Sequence, residues 1–99
     1  GETADTLAGL REAKKRGAKA YGICNVVGSS ISRETDAGIY LHVGPEIGVA
    51  STKAYTAPLV DLYMLAILLA DLRGAIDGPA RYRLVQDLRL VPDLVSRCL

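Results

Sequence analysis

The first segment of the chain has the apolar spacing of an amphipathic helix. Four apolar side chains recur at intervals of three and four residues, which places them on one helix face: Ala4, Leu7, Ala8 and Leu10. The spacing predicts a helix over residues 3–16. Thr3 suits the N-cap, the basic residues 14–16 suit the negative end of the helix dipole, and Gly17 suits the position after the helix.

Two short apolar runs are predicted as strands. Residues 19–25 (KAYGICN) end in a polar loop, and residues 37–43 (AGIYLHV) alternate apolar positions with Tyr40 and His42. A helical turn is expected between the strands, within residues 30–36. His42 is expected to have a surface or packing role.

Two longer helices are predicted in the second half. Ser51 or Thr52 is expected to cap the first, which continues to about residue 73 and stops before a glycine. Residues 80–99 form the second helix, and Pro92 is expected to bend or break it.

The alternation of helices with short apolar strands indicates an α/β fold with a parallel sheet covered by helices. Two strands cannot bury both faces of such a sheet, so further strands are expected from upstream sequence or another chain. Because the chain starts at Gly1 and its only methionine is Met64, we expect a fragment. An uncovered apolar face predicts marginal stability or self-association.

An apolar stretch at residues 59–72 (LVDLYMLAILLADL) resembles a membrane span only superficially. It is shorter than the ~20 residues that a span needs, and Asp61 and Asp71 interrupt it. We predict a buried helix of a soluble protein and no membrane contact. Cys24 and Cys98 are then expected to be reduced and buried, in a cytoplasmic protein.

The composition of the chain excludes several classes of function. The net charge is +1 and apolar residues make up 49% of the chain, which argues against a disordered chain and against an electrostatic nucleic-acid binder. Two cysteines cannot form a zinc site, and the chain contains neither a Walker nor a dinucleotide-binding motif. We therefore predict no metal and no cofactor.

Ligands of open α/β sheets bind at the carboxyl ends of the strands. Three segments are expected to meet there: the start of the first helix, residues 25–30 and residues 44–52. The free N–H groups at the helix start suit a phosphate, with the Thr3 hydroxyl as a further donor. From spacing alone, a Thr3 that only caps its helix is the favoured alternative.

The loop at residues 44–53 (GPEIGVASTK) carries further candidates. Its glycines allow close approach to a ligand, while Ser51 and Thr52 offer hydroxyls and Lys53 offers a cation. An ordinary loop that leads to a helix cap is the alternative. Glu46 could act as a general base, although a single loop carboxylate is more often a hydrogen-bond partner.

Four motifs resemble a known family, one of them RETD (residues 33–36), which matches the family's RExD. The opening GETADTL (residues 1–7) resembles the end of the phosphate loop of sugar-isomerase (SIS) domains, and residues 23–30 (ICNVVGSS) resemble their strand and loop. With EIGVASTKAYT (residues 46–56), the order resembles the glutamine–fructose-6-phosphate aminotransferase (isomerising), or glucosamine-6-phosphate synthase, family. The match is close over residues 1–73 and looser over 79–99. Pro58 departs from the family, which usually has Gln there.

The resemblance implies a partial, flavodoxin-like SIS domain over residues 1–74, followed by a linker and helix over 75–99. It implies a sugar-phosphate site in which Thr3 binds the phosphate of fructose 6-phosphate and Val49 and Ser51 contact the sugar. Gly1 and Glu2 belong to the same phosphate-binding motif.

The family's catalytic groups lie outside this sequence, so the resemblance gives Lys53 and Cys24 no catalytic role. The implied parent enzyme, expected to be a homodimer, makes glucosamine 6-phosphate from fructose 6-phosphate and glutamine. The 99 residues alone are expected to be inactive. A sugar-phosphate-binding regulator with a SIS domain, or a SIS-type isomerase or deglycase, is the alternative.

Overall fold

The computed structural model of the chain describes residues 3–99. Within that range the elements follow the predicted order of helix, strand, short helix, strand, long helix and helix. Their bounds are α1 Ala4–Lys15, β1 Tyr21–Cys24, α2 Ser30–Glu34, β2 Ala37–Tyr40, α3 Lys53–Leu72 and α4 Gly78–Cys98. The chain divides into two compact units, Gly1–Asp61 and Leu62–Leu99.

The first unit is built on a parallel pair of strands. β1 and β2 pair in the register Tyr21↔Ala37 through Cys24↔Tyr40, which confirms the predicted α/β fold with a parallel sheet. The strands approach closely at Gly38, where an added Cβ would lie 2.3 Å from the Gly22 carbonyl oxygen. Cys24 is buried at the end of β1, as predicted for a core residue.

Both strands are shorter than predicted. The sequence pattern extends the second strand to residue 43, but β2 ends at Tyr40. The backbone at His42 has a φ of 52°, in the left-handed region that ends extended structure. His42 is exposed, and its ring centroid lies 6.0 Å from that of Tyr40.

α1 follows its prediction closely. Thr3 is the N-cap residue, and Gly17 has a φ of 85° after the last turn. Lys14, exposed in the last turn of α1, also makes two polar contacts: its ammonium lies 3.3 Å from Asp36 and donates to the Glu34 carbonyl oxygen at 2.7 Å. These contacts fasten the last turn of α1 to the residues that lead into β2.

The prediction of a buried apolar helix is wrong. Ile67 is the buried residue of α3, and many large apolar side chains of the helix are exposed, among them Leu62, Met64, Leu68 and Leu72. Residues 62–72 of α3 lie in the second unit, whose other helix is α4, and a helix pair covers only one stripe of each partner. By length and composition alone α3 could cross a membrane, a test that core helices also pass, and 6% of its apolar window is buried.

Pro92 was expected to bend or break α4, and the break is excluded because α4 is continuous through Pro92. It begins at Gly78, where the N-cap residue Asp77 accepts from the Ala80 N–H at 2.7 Å. Pro58 is accommodated within α3 in the same way. The prediction that both cysteines are buried is wrong for Cys98, which is exposed because it is the last residue of α4 and has no further turn of helix beside it.

Candidate functional site

The side chain of Asn25 joins two loops at the carboxyl edge of the sheet. Because β1 and β2 are parallel, the loops that follow them leave the same edge. Asn25 Nδ2 donates to the Gly44 carbonyl oxygen at 2.7 Å, and Asn25 Oδ1 accepts from the Val43 N–H at 3.1 Å. Two of the three segments expected to meet at this edge are therefore in contact.

Glu46 organises the loop that precedes α3. Its Oε1 accepts from the Thr52 N–H at 2.7 Å and from the Thr52 hydroxyl at 2.5 Å, and lies 3.5 Å from the Ala54 nitrogen. Its Oε2 accepts from the Ser51 hydroxyl at 3.2 Å. The alternative that Glu46 is a hydrogen-bond partner is confirmed, because its carboxylate receives the donors at the start of α3.

Those donors also change the acidity of Glu46. Led by the Thr52 hydroxyl and then the Thr52 N–H, they stabilise the charged form and lower the pKa of Glu46 from 4.5 to about 2. The carboxylate is half-buried and ionised at neutral pH. A group in that state accepts hydrogen bonds and is a poor proton acceptor, which disfavours the general-base role considered for Glu46.

Thr3 lies at the start of α1 and is exposed. Its carbonyl oxygen accepts from the Leu7 N–H at 3.0 Å, but its side chain makes no cap hydrogen bond. The Thr3 hydroxyl therefore does not cap α1, although a capping role for Thr3 was the favoured alternative to phosphate binding. Eleven residues separate Thr3 from Lys14, so the helix start lies about 17 Å along the axis from the turn held at the amino edge of the sheet.

The structure describes some of the predicted site residues and not others. Val49 and Ser51 lie in one loop and are exposed, with Val49 fully so, and Glu46 holds Ser51 within that loop. Gly1 and Glu2 lie outside the described residues. The adjacency of Thr3 to the loop stays a prediction.

The structure also places Cys24 and Lys53, the two other candidate reactive groups. Cys24 is 5% exposed and belongs to the core. The Lys53 ammonium lies beside Gly44, 3.9 Å from where a Cβ on that glycine would sit. Among residues 3–99, no group of three His, Cys, Asp or Glu side chains is placed to hold a metal ion.

Two residues at opposite edges of the sheet were given no role from the sequence: Asn25 at the carboxyl edge and Asp36 at the amino edge. Asn25 was placed in a loop but given no role, although an amide directly after an apolar strand is a suitable bridge. Asp36 accepts from the Ala20 N–H at 2.8 Å and pairs with Lys14. That bond to Ala20, followed by Lys14, lowers the pKa of Asp36.

Most of the chain matches a protein-family model. The family model described as "SIS domain" matches residues 1–68. Similar proteins share more of the chain. A glutamine–fructose-6-phosphate aminotransferase (isomerising) of Bacteroides thetaiotaomicron is 54% identical over 99 residues, and isoform 1 from Rattus norvegicus is also 54% identical over 99 residues.

A solved structure has the same fold. The C-terminal domain of glucosamine-fructose-6-phosphate aminotransferase from Francisella tularensis superimposes with a TM-score of 0.92 at 40% identity, covering 96% of this chain and 27% of that chain. The chain spans 16% of the Bacteroides protein and 14% of the rat protein. The likeness thus covers a small part of each relative and nearly all of this chain.

Proposed function

Because the chain belongs to the SIS domain family, we propose that it is a sugar-phosphate-binding part of a glutamine–fructose-6-phosphate aminotransferase (isomerising). The reaction would form glucosamine 6-phosphate and glutamate from fructose 6-phosphate and glutamine. The extent of the match carries the proposal. Relatives with that name align with all 99 residues, including α4, whereas the family model ends at residue 68.

In this proposal the phosphate binds at the start of α1 and the sugar contacts the loop before α3. The N-terminal N–H groups of α1 and the Thr3 hydroxyl offer donors to the phosphate, and Gly1 and Glu2 belong to the same sequence motif. Val49 and Ser51 contact the sugar. The hydrogen bonds of Asn25 to the start of the 44–52 loop support this arrangement, because they hold that loop at the carboxyl edge.

The chain would contribute binding rather than bond-making groups. Neither Lys53 nor Cys24 is assigned to catalysis, because the catalytic groups of the family lie outside these 99 residues, and Cys24 lies in the core. We further propose a division into a SIS part over residues 1–74 and a linker and helix over 75–99, a homodimeric parent enzyme and a cytoplasmic location. No nucleic acid or membrane partner is part of the proposal.

A hybrid enzyme tests the proposal. Residues 1–99 replace the matching segment of the Bacteroides thetaiotaomicron aminotransferase, and formation of glucosamine 6-phosphate is measured. We expect an active hybrid, in which Thr3→Val raises KM for fructose 6-phosphate about 10- to 100-fold, the effect of losing one hydrogen bond to a charged group. Thr56→Val, a matched change at an exposed residue of α3, should leave KM within about twofold.

Two results would contradict the proposal. One is a folded hybrid that forms no product, and the other is an equal effect of both Thr→Val changes. The separate chain of 99 residues is expected to form no glucosamine 6-phosphate. Amide chemical shifts of that chain should change with fructose 6-phosphate at residues 3–7 and 44–52.

A further inference from the structure

The hydroxyl of Ser51 has its proton directed at a carboxylate. Its oxygen lies 3.2 Å from Glu46 Oε2, and Glu46 is ionised. An ionised carboxylate has no proton to donate, so the Ser51 hydroxyl must be the donor in this pair. Ser51 Oγ can then interact with a ligand only by accepting a hydrogen bond on its lone pairs.

The position of Glu46 is held independently of Ser51. Oε1 accepts from both the N–H and the hydroxyl of Thr52, at 2.7 and 2.5 Å, with the Ala54 nitrogen at 3.5 Å. Rotation of the carboxylate away from Ser51 would disturb these bonds. The bonds to Thr52 are short and charge-assisted, which fixes the carboxylate, whereas the Ser51 bond at 3.2 Å is longer. The negative charge of the fixed carboxylate still attracts the Ser51 proton, so this orientation is favoured before any ligand arrives.

We propose that Glu46 is a positioning residue that makes the Ser51 hydroxyl accept a hydrogen bond from a sugar hydroxyl and disfavours its donation to a phosphate. This inference rests on the proposed function, since it assigns parts of the same ligand to different segments. A phosphate dianion offers acceptors only, so Ser51 held in this way is a poor partner for it. A sugar hydroxyl can donate, and it matches the lone pairs of Ser51.

The polarity of this pair can be reversed with little change in shape. In Glu46→Gln the amide oxygen can keep the Thr52 donors, and the amide nitrogen then faces Ser51. Ser51 would accept from that nitrogen, and its own proton would be free to point at a ligand. The variant therefore separates the direction of the hydrogen bond from the mere presence of a side chain at residue 46.

The test measures dissociation constants of the hybrid enzyme by isothermal titration calorimetry, with fructose 6-phosphate and inorganic phosphate as separate probes. Glu46→Gln and Ser51→Ala are each expected to weaken fructose 6-phosphate about tenfold and to leave inorganic phosphate within about twofold. The double variant should lose no more than either single one, because both changes remove the same contact. Glu12→Gln is the matched control: it makes the same chemical change at the exposed partner of Arg16 and should alter neither constant.

The other outcomes separate a failure of the role of Glu46 from a failure of the proposed function. Unchanged fructose 6-phosphate binding in Glu46→Gln, together with a loss in Ser51→Ala, overturns the role of Glu46 and leaves the proposed function standing. Multiplying losses in the double variant also overturn it, because Glu46 would then act apart from Ser51. No binding of fructose 6-phosphate by the hybrid that carries the unchanged 99 residues contradicts the proposed function itself.

Ser51→Ala decides the question if Glu46→Gln fails to fold. This change leaves the bonds between Glu46 and Thr52 in place. Equal weakening of both probes would show that Ser51 donates to phosphate, and the proposal would be wrong. Weakening confined to fructose 6-phosphate supports it.

Discussion

The side-chain amide of Asn25 donates to the carbonyl oxygen of Gly44 at 2.7 Å, across 19 positions of sequence. The same side chain accepts from the Val43 N–H at 3.1 Å, so one amide satisfies two backbone groups of the opposite loop. Gly44 has a φ of 72°, which a residue without Cβ adopts readily. The loop that carries Val49 and Ser51 therefore starts from a position set by the end of β1.

Asn25→Ala is expected to destabilise the chain by about 1–3 kcal/mol, because it leaves both backbone groups without this partner. Urea unfolding followed by circular dichroism measures the change. Asn25→Asp is the informative companion, since it keeps an acceptor for Val43 but places a carboxylate oxygen against the Gly44 carbonyl. It should also destabilise the chain. An Asn25→Ala change below about 0.5 kcal/mol, the range of neutral surface substitutions, would contradict the bridging role.

Gly38→Ala is expected to disrupt the pairing of the two strands. The new Cβ would lie 2.3 Å from the Gly22 carbonyl oxygen, and because that oxygen belongs to the backbone, the strands must separate or shift. Amide chemical shifts of residues 21–24 and 37–40 report the change. Gly9→Ala is the matched control, because nothing lies within 4 Å of its added Cβ.

The control should behave in the opposite direction. Gly9 lies inside α1, where alanine is favoured over glycine by about 1 kcal/mol, so Gly9→Ala should stabilise the chain by up to that amount. Unchanged strand shifts in Gly38→Ala would show that the close approach is not needed for pairing.

The sequence was informative where several local signals agreed. For α1, the apolar spacing, the Thr3 N-cap position and the basic last turn all pointed to one helix, and its observed bounds differ from the prediction by one residue at each end. The strand pattern was less reliable at its end. Alternation continued through His42, but a backbone φ of 52° stops β2 at Tyr40, and alternation of side chains contains no information about φ.

The sequence did not predict the burial of α3 or the hydrogen-bond partners of Glu46. The apolar composition of α3 indicated a core helix, yet whether such a helix is buried depends on what packs against it, and composition does not say. For Glu46 the sequence suggested a hydrogen-bond partner, but not that its donors would be Thr52 and Ser51. Those partners depend on how the intervening loop turns.

The junction of α1 with β2 offers another prediction. Asp36 accepts from the Ala20 N–H at 2.8 Å and lies 3.3 Å from the Lys14 ammonium. Asp36→Ala removes both interactions, whereas Asp36→Asn keeps an acceptor for Ala20 and loses only the charge. We expect the urea midpoint to fall for both variants and to fall further for alanine, because an exposed ion pair contributes little. Equal midpoints for the two variants would show that the Ala20 bond is not the main contribution.

Acid should weaken the chain through carboxylates whose pKa is lowered, and Glu46 has the clearest shift. Its pKa is about 2 in the folded chain and is expected near 4.5 in the unfolded chain. Its contribution is therefore complete above about pH 4.5 and is lost as the pH falls towards 2. Glu34 and Asp36 change stability in the same direction, because their pKa values are also lowered.

The variant Glu46→Gln isolates the contribution of Glu46 to the pH dependence of stability. At pH 7 the variant should be less stable than the wild-type chain, and the difference between their urea midpoints should shrink as the pH falls from 5 to 2, since the wild-type carboxylate becomes neutral as well. A difference that stays constant across this range would show that the charge of Glu46 does not stabilise the loop. In that case the bonds to Thr52 and Ser51 would act through shape alone, and the direction of the Ser51 hydrogen bond would lose its physical basis.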